Sequence, residues 1–318
     1  MTRGQGQRGG MSRTDSRRAL LLRAAEHAGP SGGVLSRAAL RTLGADRRFV
    51  ARQVAAGRWR THGRQSVAVH TGPLDVLGHR WRAVHEVAAS ALDGVTALQV
   101  AGLTGITEDV IHVSVHHLAQ APRVEGVRVH KVSRRIEGEL DLVDPPRTPP
   151  ALAALRAAQW AVSDKQAALF LVAPVQQRLI TGEQLRLARE AYLGRRRRKV
   201  VETLIQDIVD GAHSLGEIDF ARLCRSRGLP EPERQSVREG RDGRIHLDVR
   251  WRCGLVVEID GRQHVEGVAS VEDMLRQNSV SLTRDVVLRI PLLGLRLEAD
   301  AFLDQVADAL RLLSARAA

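Results

Sequence analysis

Two short segments that meet at a turn around Cys253 constrain the fold of the C-terminal third more than any other feature. Residues 244–251 alternate, with apolar side chains on one side and polar ones, including Asp248, on the other. The run 255–260 follows after a very short turn. Alternation with a period of two is typical of half-buried strands, so the two segments predict a β-hairpin.

The predicted hairpin places two carboxylates opposite each other. If the turn is symmetric about Cys253, Asp248 pairs with Glu258, because each is five residues away. Directly opposed residues have Cβ atoms about 5 Å apart on one face of a sheet. Ionised carboxylates repel at that distance, and a divalent cation between them would relieve the repulsion. Mg²⁺ keeps several waters, so one or two carboxylates and a substrate phosphate suffice as its ligands.

Each acidic residue also has a purely structural explanation. Glu217 closes a Ser-x-x-Glu capping box, which needs no catalytic role. The alternative for Asp248 is an exposed strand residue paired with Arg250 or Arg252. Glu258 ends an apolar run, where a carboxylate is at least partly buried and needs a partner.

An ordered set of motifs covers about 100 residues of the last third. The segments are GEIDFARLCRSRGLPEP, GRIHLDVRWRCGLVVEIDGRQH and EDMLRQNSVSLTRDVVLRIP. In this order they resemble the very-short-patch-repair-like (Vsr-like) endonuclease domains of the PD-(D/E)xK superfamily. The resemblance implies a restriction-endonuclease-like mixed sheet flanked by helices, and phosphodiester hydrolysis with Mg²⁺ or Mn²⁺ as cofactor.

The resemblance also implies roles for individual residues. Glu217, Asp248 and Glu258 match the acidic, metal-binding positions. His264 matches a histidine near the scissile phosphate, where it would act as general base or assist the leaving group. Asp260 stands where the wider superfamily has a lysine, and a carboxylate cannot supply the positive charge of that lysine.

Two arginines complete the expected catalytic set. Arg276 matches the helix after the hairpin and Arg289 matches the last strand, where each would neutralise phosphate charge. The alternative for both arginines is an ordinary ion pair on the protein surface. The alternative for His264 is a loop histidine that is hydrogen-bonded to a backbone carbonyl. Asp260 followed by Gly261 recurs in the Vsr-like subgroup, so the missing lysine leaves the mechanism open rather than excluding activity.

The N-terminal part predicts three short helices followed by a hairpin. Helices are expected at 17–27, from 35, and at 47–56, and the last has Val50 and Val54 facing inward. This layout is that of a winged helix-turn-helix, whose third helix enters the major groove of DNA. The expected DNA contacts are Arg48 and Arg52 on that helix and Arg58, Arg60 and Arg64 on the wing. The alternative is a solvated face of a small helical domain.

The segment GVLSRAALRTLGADRRFVARQVAAGRWRTHGRQSVAVH resembles the N-terminal domain of AbiEi-type antitoxins, in which a winged helix precedes an α/β region. Some members of that family repress transcription. The middle of the chain resembles the region that follows in those proteins. The residue pattern of this middle part predicts a helix at 82–92, paired strands at 111–116 and 127–132, and further helices from 151. We expect His112 and His116 to be solvated or to face a partner.

These patterns predict a multi-domain α/β protein. The expected division is a disordered tail at 1–15, a winged helix-turn-helix at 16–72, an α/β middle region at 73–199 and an endonuclease domain at 200–318. The formal net charge of +12 favours a polyanionic partner, of which nucleic acid is the commonest.

Composition and segment length bear on compartment and function. No apolar run approaches the ~20 residues that span a bilayer, so we expect no membrane contact. The chain has two cysteines and we expect no disulfide between them, as is usual for a cytoplasmic protein. Two functions compete: a DNA endonuclease in repair or in defence against foreign DNA, and a non-catalytic antitoxin-like regulator. A homodimer is possible, and one chain identifies no cognate toxin.

Overall fold

The computed structural model describes residues 13–133, 140, 143–192, 194–210, 220–239, 245–260 and 287–317, with the single residues 271, 274, 275 and 278. Within these ranges the fold is mixed α/β with three small sheets. By its contacts the chain divides into two compact units, an N-terminal unit (Met1–Ala97 with Thr107–Pro149) and a C-terminal unit (Leu98–Ile106 with Pro150–Ala318). The boundary after Pro149 lies within residues 73–199, which the sequence predicted to form one α/β middle region. In the part of the chain described here, no helix could cross a membrane.

The N-terminal unit carries two of the three sheets. Its elements are α1 (Arg13–Ala28), β1 (Val34–Ser36), α2 (Arg37–Thr42), α3 (Arg47–Ala55), β2 (Arg60–Thr61), β3 (Ser66–Ala68), α4 (Val76–Glu86), β4 (Ala91–Leu92), β5 (Ile111–His116) and β6 (Val127–Val132). Helix α5 (Gly94–Val100) begins in this unit.

The first sheet has the order β1-β3-β2, and both pairings are antiparallel. Side-chain caps begin two of the helices below it: Ser36 Oγ accepts a hydrogen bond from Ala39 N at 3.0 Å, and Asp46 Oδ1 accepts one from Phe49 N at 2.6 Å. Satisfying the free N–H groups of a first turn stabilises a helix by about 1 kcal/mol. The helix expected from residue 35 begins at Arg37, after strand β1, which was not predicted.

The core under this sheet joins α1, α2 and α3. Leu40 and Val67 are fully buried, and Phe49 and Trp59 lie edge to face with ring centroids 5.8 Å apart. Val50 is buried as predicted, and Val54 packs against the same cluster while partly exposed. The aromatic pair fixes the hairpin against α3, because Trp59 immediately precedes β2 and Phe49 lies in the first turn of α3.

The second sheet has the order β4-β5-β6. The predicted pairing of 111–116 with 127–132 is confirmed, and these strands run parallel. The predicted helix at 82–92 is wrong at both ends. Helix α4 begins earlier, where Asp75 Oδ1 accepts a hydrogen bond from Gly78 N at 2.6 Å, and ends at Glu86. Ala89 has a φ of 55°, which an α-helix cannot contain, and the next residues pair as β4.

The C-terminal unit combines helices with the third sheet. Its elements are α6 (Pro150–Trp160), α7 (Asp164–Gln176), α8 (Gly182–Ala191), α9 (Arg198–Asp210), α10 (Phe220–Ser226), β7 (Arg234–Glu239), β8 (Ile245–Arg250), β9 (Val256–Asp260), β10 (Val287–Pro291), α11 (Leu292–Leu297) and α12 (Ala299–Ala317). Helices α6 to α9 pack on one another.

The third sheet has the order β10-β9-β8-β7 and is mixed. Strands β7, β8 and β9 form an antiparallel meander, and β10 runs parallel to β9. One face is apolar: Leu247, Val249, Val257, Ile259, Leu288 and Ile290 are each at most 2% exposed. Burial of this alternate set fixes the register, since a slip of one residue would move every apolar side chain to the other face.

Candidate active site and nucleic-acid interface

The predicted opposition of two carboxylates is confirmed. Asp248 on β8 is paired in register with Glu258 on β9. The turn that joins the strands is short, with Gly254 N donating to Trp251 O at 3.0 Å and Trp251 N donating to Leu255 O at 3.1 Å. The apolar neighbours of both acids, Val249 and Val257, are buried on the other face, so the acids share the polar face.

A third charged residue extends this pair into a row. Arg289 on β10 is the register partner of Glu258, and its Nε lies 3.2 Å from Glu258 Oε2. Asp248 is 6% exposed, so its description as an exposed strand residue is wrong, although Arg250, one of the two arginines expected beside it, lies at 3.8 Å. We call Asp248, Glu258 and Arg289 the carboxylate row.

The arginine changes the electrostatic argument made from sequence. A guanidinium within hydrogen-bond distance compensates a carboxylate, so the two opposed acids do not depend on a metal ion to coexist. In the described ranges, no group of three His, Cys, Asp or Glu side chains is arranged to hold a metal. The described ligand set for Mg²⁺ is therefore a pair, Asp248 and Glu258.

The rest of the predicted catalytic set is described only in part. Glu217, His264 and Arg276 lie outside the described residues. Asp260 occupies the register position opposite His246, two residues along the strands from the carboxylate row. The carboxylate row is thus the part of the expected active site that the structure brings together.

The N-terminal unit presents a second charged site on α3 and the hairpin. All five arginines predicted to contact DNA are exposed: Arg48, Arg52, Arg58, Arg60 and Arg64. Arg52 lies over the Phe49 ring at 5.9 Å, and Arg58 Nε donates to Gln53 Oε1 at 2.7 Å. The helix therefore holds two of the five arginines in place while leaving them accessible.

The hairpin loop is fixed to α4 by a carboxylate. Glu86 is 9% exposed, and its two oxygens accept hydrogen bonds at 2.8–2.9 Å from Arg64 N, Gln65 N, Ser66 N and Ser66 Oγ. Burial alone would raise the pKa of Glu86, but these hydrogen bonds outweigh it and hold the pKa below its ordinary value. Gly63 is the residue before them, and a Cβ there would overlap the Glu86 carboxyl group.

Sequence reasoning missed this anchor and a cleft beside it. Arg37, Arg41 and Arg47 line a cleft of about 590 Å³ together with Arg64. A usable signal was present, because residues 37 and 41 are four apart and so lie on the same face of a helix.

A histidine pair in the second sheet was also missed. His130 Nε2 and His112 Nδ1 are 3.0 Å apart, and their rings stack. His112 is 7% exposed, so the solvated alternative is wrong for it, whereas His116 is exposed. Burial, with a smaller contribution from Arg128, lowers the pKa of His112 to about 4, which keeps it neutral near pH 7.

Comparison with known proteins assigns no family. No protein-family model and no curated protein matches the chain. The two resemblances described from the sequence motifs therefore stay predictions.

Proposed function

We propose that this chain is a metal-dependent DNA endonuclease whose C-terminal unit hydrolyses phosphodiester bonds and whose N-terminal unit binds DNA through α3 and the hairpin. The observation that carries the proposal is the carboxylate row, in which Asp248 and Glu258 are opposed in register and Arg289 lies beside them. This combination provides oxygen ligands for a hard cation and a positive charge for a phosphate.

The two carboxylates fit Mg²⁺ or Mn²⁺. Glu258 is about one-third exposed and so is accessible to an ion, whereas Asp248 is nearly buried and rigidly held by the strand. Glu217 is the predicted third ligand. A bound ion would lower the pKa of a coordinated water and polarise the phosphate.

Charge neutralisation is the contribution of Arg289 in this proposal. Its guanidinium is about two-thirds exposed, so it can turn from Glu258 to a substrate phosphate without a buried charge being left unpaired. The predicted proton-transfer group is His264, and Arg276 is the predicted second cation. Asp260 adds negative charge near the row, so catalysis would depend on these arginines in place of the missing lysine.

Cleavage of supercoiled plasmid tests the proposal. Wild type is compared with Asp248→Asn and Glu258→Gln at several Mg²⁺ and Mn²⁺ concentrations. Metal-dependent nicking that both substitutions abolish is the expected result. Glu231→Gln is the matched control, because Glu231 is an exposed acid of the same unit that pairs with Arg225, and it should cleave at the wild-type rate. Equal cleavage by all variants would refute the assigned ligands.

A non-catalytic DNA-binding regulator is the second candidate. It is favoured by the ion pair between Arg289 and Glu258, which stabilises the acids without a metal, and by Asp260 in place of a lysine. Under this alternative wild type binds duplex DNA but does not cut any plasmid with either metal. The carboxylate variants would then alter stability and leave DNA affinity unchanged.

A further inference from the structure

A cleft between α2, the start of α3 and the hairpin loop concentrates positive charge. It has a volume of about 590 Å³ and is lined by Arg37, Arg41, Ala45, Asp46, Arg47, Val50 and Arg64. We call it the arginine cleft. Its four arginines face a single acid, so the lining carries a net charge of +3 at neutral pH.

The acid in the lining is already engaged. Asp46 Oδ1 accepts the hydrogen bond from Phe49 N that caps α3. Arg37 Nε donates to Arg64 O at 2.9 Å, which ties α2 to the hairpin loop and leaves the terminal guanidinium nitrogens of Arg37 for another acceptor. The hydrogen-bonding capacity of the lining is thus mostly donor, which suits an anion with several oxygens.

The cleft lies on a different edge of α3 from the predicted DNA contacts. Successive residues of a helix are rotated by about 100°, so Arg48 and Arg52 are rotated by about 100° and 140° from Arg47. Between these edges the exposed surface of α3 carries Ala51 and Ala55. Helix α3 therefore presents a narrow strip of small residues with arginines on both sides.

That arrangement suits a helix that lies in the major groove of DNA. A helix in the major groove faces base edges along its centre and the two phosphate backbones along its flanks. We propose that the arginine cleft binds backbone phosphates of duplex DNA, on the strand opposite to the one that Arg48 and Arg52 contact. The proposal rests on the DNA-binding part of the proposed function and does not depend on catalysis. With alanines in the centre, the contacts to phosphate dominate affinity.

The salt dependence of duplex binding tests this inference. Each phosphate neutralised by a cation contributes about 0.9 to the slope of log affinity against log salt. Fluorescence anisotropy with a 20-bp duplex compares wild type, Arg41→Ala/Arg47→Ala and Arg48→Ala/Arg52→Ala. Each double variant should lower the slope by about two and weaken binding by tenfold or more at low salt. The combined quadruple variant should lower the slope by the sum of the two.

Two further variants separate the cleft from general charge and from misfolding. Arg17→Ala/Arg18→Ala removes two exposed charges of α1 and should leave the slope within half a unit of wild type. Arg41→Lys/Arg47→Lys keeps the charge and should retain the wild-type slope. If the control lowers the slope as much as the cleft variant does, the effect is net charge and the cleft assignment is wrong.

The source of the phosphate is decided by a second titration. Inorganic pyrophosphate is titrated calorimetrically into wild type and into Arg41→Ala/Arg47→Ala. Pyrophosphate binding at the cleft, with an unchanged duplex slope in the variant, would overturn the DNA assignment in favour of a free phosphate compound. A wild type that binds neither probe would also overturn it, whereas plasmid cleavage by the same protein would leave the endonuclease proposal intact.

Discussion

Glu86 Oε1 accepts hydrogen bonds from both the backbone N and the Oγ of Ser66, each at 2.8 Å. The partner atoms lie twenty residues apart in sequence, and the contact joins the end of α4 to the start of β3. The other carboxylate oxygen accepts from Arg64 N at 2.9 Å. The loop that carries Arg64 is thus held by a buried acid in addition to the pairing of its own short strands.

Glu86→Ala should destabilise the N-terminal unit by about 3 kcal/mol, because it leaves three backbone N–H groups of the loop without their charged acceptor. Urea unfolding of the full chain measures the loss. The same variant should weaken duplex binding, since the loop carries Arg64. Glu26→Ala provides the control: Glu26 is an exposed acid on α1, and its loss should change stability by less than about 0.5 kcal/mol. Equal effects of the two substitutions would contradict the anchoring role.

The lowered pKa of Glu86 gives this contribution a pH dependence. An acid whose pKa is lower in the folded state stabilises the fold above its unfolded pKa, about 4.3, and loses that contribution as the pH falls through the folded pKa. The difference in stability between wild type and Glu86→Gln should therefore be largest above pH 5 and shrink towards pH 3. Urea unfolding at pH 3, 4, 5 and 7 measures it, and a difference that grows on acidification would show that the hydrogen bonds do not favour the ionised form.

The buried His112 should lower stability over a different pH range. Its pKa falls from 6.5 to about 4 on folding, so between these values the unfolded chain binds more protons than the folded one. The free energy of unfolding is therefore highest above pH 6.5. It decreases by about 2–3 kcal/mol as the pH falls to 4, because protonation of His112 favours the unfolded chain. Hydrogen exchange of β5 amides, corrected for intrinsic rates, should show this loss of protection.

His112→Asn is the test variant for that pH dependence. Asparagine keeps a hydrogen-bonding group near the position of Nδ1, which is bonded to His130, but it cannot titrate. Protection of β5 in this variant should be nearly constant from pH 6.5 to 4.5. If it falls as steeply as in wild type, another group is responsible.

The register that places Asp248 opposite Glu258 could be predicted because it depends on local features. Alternation in 244–251 and a short turn at Cys253 determine which residues of two adjacent strands face each other. Alternation does not predict that Arg289 lies beside Glu258. Strand β10 is distant from β9 in the sequence and pairs with it in parallel. Parallel pairing leaves no turn from which a register can be counted.

The end of α4 and the role of Glu86 were also missed because they depend on contacts between segments that are distant in sequence. The apolar face of residues 82–92 fits a helix, yet the chain beyond Glu86 pairs with β5 because tertiary pairing outweighs a short local preference. Glu86 itself reads as a surface residue of a helix. Its role depends on a loop twenty residues earlier, which no periodicity in either segment encodes.

Removing the guanidinium of Arg289 should separate metal binding from phosphate binding. Arg289→Ala leaves Glu258 without its cation, so the carboxylate row should bind Mn²⁺ more tightly, by about fivefold or less because the ion pair is largely exposed. Plasmid cleavage should nevertheless be slower, because the positive charge for the phosphate is lost. Calorimetric titration with Mn²⁺ and a nicking assay measure the two effects. Weaker Mn²⁺ binding together with slower cleavage would instead indicate that Arg289 only supports the fold.

Asp207 connects α9 to α11 through a bidentate ion pair, with Arg296 Nε at 2.9 Å and its terminal nitrogen at 3.1 Å. Asp207 is 6% exposed and Arg296 is partly accessible to water. Asp207→Ala should therefore cost about 2 kcal/mol, less than a fully buried pair, because solvent can hydrate the remaining guanidinium.

The matched control is Asp300→Ala, which removes a highly exposed acid of the same unit that pairs with Arg227. It should change stability by less than about 0.5 kcal/mol. Urea unfolding of Asp207→Ala, Arg296→Ala and the double variant should give a coupling energy above about 1 kcal/mol. Additive losses would mean that the two side chains act independently. Helix α9 packs not only with α11 through this link but also on α6, α7 and α8, all of which precede residue 199. A fragment that starts at residue 200 should consequently be cleaved by protease faster than one that starts at residue 150.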